Sequence, residues 1–236
     1  MTAGESPAAR PELSIVLPVH NDGEYLRQVI WSYQPMLERL GRAYELLLVT
    51  NACTDNSVAI ATQLALENPG VVHVNLELGG WGRAVRAGLA AARGHMLCYT
   101  NLARTSAEVL GLLVAYNLAY PDVVVKASRR VRDSRRRRLG SLIYNLECRA
   151  LFDLAVWDIN GTPKVFPRTF SRLLELTRDD DLIDAEFAMR CAREGYPIVD
   201  VPVLSTQRHG GRSTTGYASA LRMYAGALAL RWSAAP

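Results

Sequence analysis

Leu13-Ser-Ile-Val-Leu-Pro-Val-His-Asn-Asp22 begins with an apolar run, Leu13–Leu17, that stops at a proline and passes through polar residues to Gly23. A run this short and this apolar reads as a strand covered on both faces, because a half-exposed strand would alternate apolar with polar residues. From Glu24 to Leu40 the apolar positions recur at helical spacing, so the unit is strand, polar turn, helix. The unit then repeats. Glu45–Val49, Val71–Leu76, Met96–Tyr99 and Val123–Val125 read as further strands, with helical patterns at Asp55–Leu66, Gly82–Ala92 and Ala107–Leu118 between them. This order predicts an α/β fold, a mostly parallel sheet with helices on both faces. Ligands of such sheets bind beyond the carboxyl ends of the strands, so the loops after Leu17, Val49 and Tyr99 are expected to share one cleft.

The chain has 236 residues, 49% of them hydrophobic and 21% charged, enough for one substantial core. Residues 1–12 read as a disordered tail, 13–214 as a single domain and 215–236 as a C-terminal helix packed on it. The net charge of +4 is mild but uneven, with seven arginines between Arg129 and Arg138. A nucleic-acid-binding protein would show a broader basic face or a docking module, so that class is set aside. The cysteines, at 53, 98, 148 and 191, lack the spacing of a metal site or a disulfide framework. No apolar stretch reaches the roughly 18 residues of a membrane span, and the first residues lack a signal-peptide core, so the expected location is cytoplasmic. Alanine and arginine usage suggests a GC-rich bacterial source.

Five segments together resemble family 2 glycosyltransferases of the Rossmann-like GT-A fold. Leu13–Asp22 looks like the opening strand and Pro-Val-Tyr-Asn-Glu loop. Tyr44-Glu-Leu-Leu-Leu-Val-Thr-Asn-Ala-Cys-Thr-Asp-Asn-Ser57 is similar to the second strand and Asp-Asp-Gly-Ser loop, with Thr50 and Asn51 in place of the acidic pair. Gly80-Trp-Gly-Arg83 resembles the Gly-Lys-Gly loop, and Asp158-Ile-Asn-Gly-Thr-Pro-Lys-Val-Phe166 a segment of dolichol-phosphate mannose synthase-like members. Asp184-Ala-Glu-Phe187 with Gly195–Val203 looks like the acidic helix start and closing strand.

The resemblance implies a nucleotide-sugar donor contacted by Pro18, His20, Asn21, Asp22, Thr50, Asn51, Gly82, Arg83, Asn101 and Ala103, with His20 stacking on or hydrogen-bonding the base. The plainer alternatives are a strand-to-helix turn with Asp22 as N-cap and a tight turn with a solvent-facing Arg83. Asp55 is expected to cap the second helix. Where members carry Asp-x-Asp, whose paired carboxylates hold Mg²⁺ or Mn²⁺ against a diphosphate, this chain has Asn101, Leu102 and Ala103. No divalent metal and no other cofactor is therefore expected.

Without a metal, cationic side chains must neutralise the leaving diphosphate. Arg129, Lys164, Arg208, His209 and Arg212 are the expected diphosphate or acceptor contacts, with Arg104, Lys126 and Arg130 as further charge. Asp184, Glu186 and Asp158 are the catalytic candidates: in an inverting transfer a carboxylate takes the acceptor's proton, whereas a phosphate acceptor needs no base. A salt bridge to Lys164 or Arg168 is the structural alternative for Asp158. Arg135–Leu154 approaches an amphipathic period, suited to an anionic lipid surface or to core packing. The expected acceptor is a small molecule or a lipid phosphate, with peripheral membrane contact; a catalytically inactive binding subunit is a further reading. Oligomeric state stays open.

Overall fold

The computed structural model describes residues 10–129, 135–204 and 217–233, with backbone alone at 135–139, 217–222 and 233. The elements follow as β1 (Leu13–Val19), α1 (Gly23–Arg39), β2 (Tyr44–Asn51), α2 (Ser57–Glu67), β3 (Val71–Leu76), α3 (Trp81–Ala91), β4 (Met96–Tyr99), α4 (Ala107–Ala119), β5 (Val124–Arg129), α5 (Arg135–Phe152), β6 (Lys164–Pro167), a 3₁₀ turn (Ser171–Leu174), α6 (Ile183–Glu194), β7 (Ile198–Val203) and α7 (Tyr217–Ser233). They form a seven-stranded sheet in the order β3-β2-β1-β4-β6-β5-β7. β6 runs antiparallel to both neighbours; every other pairing is parallel. This is the expected GT-A architecture.

The strands read as unbroken apolar runs because both faces are covered. Ile15, Leu17, Leu46, Leu48 and Cys98 pack under α1 and α4 through Leu26, Ile30, Tyr33, Leu110 and Leu113. The alternate residues Val16, Leu47, Val49, Leu97 and Tyr99 pack against Val85 and Leu89 of α3 and Ile183 and Phe187 of α6. Adjacent residues of one strand thus enter different cores, which erases the alternation of a half-exposed sheet. α5 and α7 pack together with α6 over a third cluster that includes Cys148, Ala185, Ala227 and Leu230.

Pro18 lies inside β1 rather than in the loop after it. In a parallel sheet alternate residues face alternate neighbours, and Val16 faces β4: its carbonyl takes the last bond, from Thr100 N at 3.1 Å. Pro18 points the same way two residues on, where β4 has turned off, so its missing N–H removes no ladder bond. β6 was not predicted as a strand because four residues opening on a lysine carry no apolar period. Its register makes one row across the sheet, Val72–Leu47–Val16–Tyr99–Lys164–Lys126–Asp200. Paired neighbours share a face. The row changes from apolar to charged where β4 meets β6, and that boundary lies at the edge of the sheet where the functional loops gather.

Candidate functional site

The carboxyl ends of β1, β2, β4 and β5 and the start of β6 meet at one edge of the sheet, since β6 runs antiparallel. On the donor side, Asn51 ties the parts together. Its Nδ2 donates to the Val19 carbonyl at 2.8 Å, its Oδ1 accepts from Gly80 N at 3.1 Å, and its carbonyl accepts from His20 Nδ1 at 2.7 Å. An amide is needed here, because a carboxylate cannot donate to Val19. Asn21 sits in the left-handed region (φ 57°) and its Oδ1 accepts from Thr54 N at 2.7 Å, pinning the β2 loop to the β1 loop. Asp55 caps two helices at once: Oδ1 accepts from Ser57 N (3.0 Å) and Oδ2 from Gly23 N (3.1 Å). Desolvation raises its pKa, but the hydrogen bonds from Ser57 and Gly23 outweigh it and hold the carboxyl below its ordinary value.

Several expected donor contacts are committed to the protein itself. Thr50 is fully buried, with Oγ1 bonded to His73 Nε2 and Asn75 Oδ1, both at 2.8 Å on the β3 side. Asp22 occupies the N-cap position of α1 without capping it; its carboxylate accepts from the Tyr25 hydroxyl and from His20 N (3.3 Å). The Gly80-Trp-Gly-Arg turn is not an open phosphate cradle. Residues 178–180 lie against it: a Cβ at Gly82 would stand 2.3 Å from the Arg178 carbonyl, Gly80 needs φ 145°, and Arg83 N donates to the Asp179 carbonyl at 3.0 Å. The Asp179 carboxylate bridges Arg83 (2.7 Å) and Arg86, so Arg83, its side chain still 34% exposed, is ion-paired within the protein. Of the remaining donor-side candidates, His20 and Asn21 are exposed and Asn101 is half-buried, while Ala103 is 3% exposed and belongs to the core.

On the acceptor side the carboxylates are paired. Asp158 (φ 49°) takes Arg129 in a fork, Nε to Oδ2 at 2.8 Å and NH2 to Oδ1 at 2.7 Å, and also accepts from Arg129 N. Arg129 thus forks onto Asp158, while Lys164 pairs with Asp184 and Arg168 donates to the Gly94 and Ala92 carbonyls. Lys164, wholly buried, donates to Asp184, which also accepts from the Tyr99 hydroxyl at 2.8 Å and is 4% exposed. Burial lowers the Lys164 pKa, with Asp184 opposing; burial together with Asp184 pushes the Tyr99 phenol up. Glu186 points away from this edge, accepting from Thr177 N, Arg178 N and Arg190, so it shapes the segment packed on α3. Of the residues expected as base, cleft carboxylate and diphosphate contact, Asp184 and Lys164 thus meet in a buried ion pair and Glu186 holds the loop at Thr177 and Arg178, roles that serve the fold. Arg208, His209 and Arg212 lie outside the described residues.

Sequence reading missed Asp200, Tyr99 and Asp179. Lys126, 1% exposed, is held by Asp200 (2.6 Å) and the Trp157 carbonyl (2.6 Å), and Asp200 Oδ2 accepts from Trp157 N at 3.0 Å. Together they clamp the turn that carries Asp158. The signal was present: Lys126, Lys164 and Asp200 each stand alone among apolar strand residues, and a buried charge requires a partner.

Residues 14–169 match the family model described as glycosyl transferase family 2, and the chain belongs to that family. It is 29% identical over 209 residues to glycosyltransferase AglD of Haloferax volcanii, covering 83% of this chain and 33% of the relative. It is also 29% identical over 161 residues to the undecaprenyl-phosphate 4-deoxy-4-formamido-L-arabinose transferase of Pseudomonas fluorescens, covering 66% and 47%. The chain thus spans less than half the length of either relative. Glucosyl-3-phosphoglycerate synthase of Mycobacterium tuberculosis, crystallised with Mg²⁺ and uridine diphosphate, shares the fold at TM-score 0.73 and 19% identity, over 97% of this chain and 82% of its own. A mannosyltransferase of Pyrobaculum calidifontis, with GDP-Man and Mn²⁺, aligns at TM-score 0.59 and 19% identity, over 98% and 65%.

Such cations need several hard oxygen ligands. At the end of β4, Thr100 Oγ1 is buried against Thr105 Oγ1 at 2.7 Å, while Leu102 and Ala103 lie in the core. Among the described residues no group of three or more His, Cys, Asp or Glu could hold a metal ion. The residues present do not fit Mg²⁺ or Mn²⁺ at that position.

Proposed function

We propose that the chain transfers a sugar from a nucleotide-sugar donor to a phosphate oxygen, the acceptor being a lipid phosphate, without a divalent metal and with inversion. The observation that carries this reading is the buried Lys164–Asp184 pair. With its Oδ1 already held by the ammonium and by the Tyr99 hydroxyl, this carboxylate serves the fold rather than an acceptor hydroxyl in need of a base. A phosphate monoester needs none, because its attacking oxygen is ionised. That oxygen forms the new bond to the anomeric carbon as the bond to the diphosphate breaks and the nucleoside diphosphate leaves. The Pseudomonas fluorescens relative, by name an undecaprenyl-phosphate 4-deoxy-4-formamido-L-arabinose transferase, supports the same acceptor class.

The neutral loop at Asn101–Ala103 supports metal independence. In its place we assign charge neutralisation of the leaving group to Arg208, His209 and Arg212. A peripheral, cytoplasmic position on a membrane fits the outer face of α5, where Leu142, Ile143 and Leu146 are 44–50% exposed next in sequence to four arginines, Arg135–Arg138. Among the described residues no helix is long and apolar enough to cross a membrane.

A second reading, a non-catalytic binding unit, draws on the pairing of Asp158, Asp184, Glu186 and Arg83 within the protein. The deciding experiment incubates the protein with a panel of nucleotide-sugars and undecaprenyl phosphate in anionic vesicles, in parallel with EDTA and with Mn²⁺. Glycosylated lipid supports the enzyme. Nucleotide binding without product under any donor, with either lipid or soluble phosphorylated acceptors, establishes the binding unit instead.

A further inference from the structure

His20 is exposed at the end of β1, and its Nδ1 lies 2.7 Å from the Asn51 carbonyl oxygen. A carbonyl oxygen only accepts, so Nδ1 carries the hydrogen and, in the neutral ring, the lone pair sits on Nε2. The carbonyl that sets this tautomer is itself fixed, because Asn51 is buried and anchored on both sides by Val19 and Gly80. The neighbouring polar groups are turned inward: Thr50 to His73 and Asn75, Asp22 to Tyr25 and His20 N, Asn21 Oδ1 to Thr54 N, Asp55 to the starts of α1 and α2. Where the resemblance expected acidic groups to face a nucleoside, the oriented acceptor at this loop pair is therefore Nε2.

Resting on the reading that a nucleotide-sugar binds at this edge, we infer that His20 Nε2 selects the donor's base by accepting a hydrogen bond from a ring N–H. Uracil presents one at N3 and guanine at N1. Cytosine and adenine present a ring nitrogen lone pair at the corresponding place, which faces the Nε2 lone pair and repels it. The ligand class is thus a uridine, thymidine or guanosine diphospho-sugar, and His20 is a specificity residue rather than a stacking surface alone.

The test is calorimetric titration of the wild-type chain and His20→Phe with UDP, GDP, CDP, ADP and N3-methyl-UDP. His20→Phe keeps an aromatic face and removes the acceptor; because His20 is exposed, an unchanged melting temperature establishes that the variant folds. We expect UDP or GDP to bind at least tenfold more tightly than CDP, ADP and N3-methyl-UDP, and this ratio to fall to about two in His20→Phe. UDP and GDP separate the two bases. Equal binding of all five by the wild type, or a ratio that survives in His20→Phe, overturns the assignment while leaving the nucleotide-sugar reading intact. If the wild type binds none of them, the nucleotide-sugar reading itself falls and the assignment with it.

Discussion

Lys164→Met tests whether the charged pair at the head of β6 holds the acceptor side together. Methionine keeps most of the length and apolar volume that Lys164 places over Tyr99 and Phe187, whose ring centroids lie 5.1 and 5.5 Å from Nζ. What disappears is the charge. Asp184, 4% exposed, is left with the Tyr99 hydroxyl and without its direct ion-pair partner. Removing one partner of a buried ion pair costs about 3–5 kcal/mol, because the other charge remains desolvated. That is a large part of a typical stability of about 5–15 kcal/mol, and at about 2–4 °C per kcal/mol it lowers Tm by roughly 6–20 °C. Urea unfolding should show a reduced midpoint at unchanged slope. Lys164→Met/Asp184→Asn should recover most of the loss, since the neutral amide still accepts from Tyr99, and the double-mutant cycle should give a coupling of at least about 2 kcal/mol. A single-variant loss below about 1 kcal/mol, or strictly additive single losses, would refute the reasoning and free Asp184 for proton transfer.

Asn51→Asp, which restores the family's acidic type, should destabilise the protein by about 1–3 kcal/mol, because a carboxylate oxygen replaces the donor 2.8 Å from the Val19 carbonyl; unchanged thermal stability would contradict its role as the tie between loops. EDTA should leave nucleotide affinity unchanged in titration calorimetry, and a tenfold weakening, about 1.4 kcal/mol, would contradict metal independence. Burial holds the phenols of Tyr33, Tyr99 and Tyr144 well above the ordinary tyrosine value of 10. Above that pH the native state therefore keeps protons that the unfolded chain releases, so their contribution to stability is intact below pH 10 and is lost as the pH rises further. Lys164, lowered by burial, contributes in the opposite sense but is one group against three. Unfolding monitored from pH 9 to 12, with tyrosinate absorbance at 295 nm, should show these phenols ionising only as the protein unfolds.

How much of this was legible depends on the range over which each feature is decided. β3 and β4 fall at their predicted limits, and α1, α3 and α4 within about one residue, because a short apolar run bounded by turn residues can satisfy its backbone in few ways. Pro18 was read as a terminator since its missing N–H is a local fact, whereas the turning away of β4 that makes it harmless is not. The acidic residues were read as catalytic by their types. Asp184 instead meets Lys164, 20 residues away, and Asp158 meets Arg129, 29 residues away, and only the packing of a helix and a turn against the sheet brings such partners together.

The sequence by itself determined the alternation of strand and helix, the covered sheet, the family, and the absence of paired carboxylates after β4, because these follow from residue type and spacing along the chain. The tertiary structure alone decided which polar groups remain available to a ligand. Gly82 had the same identity whether its open side met a phosphate or the Arg178 carbonyl, and Arg83 the same charge whether it met a diphosphate or Asp179. The availability of a polar group depends on what the fold has already placed within about 3 Å of it, and that neighbour is contributed by a distant part of the chain.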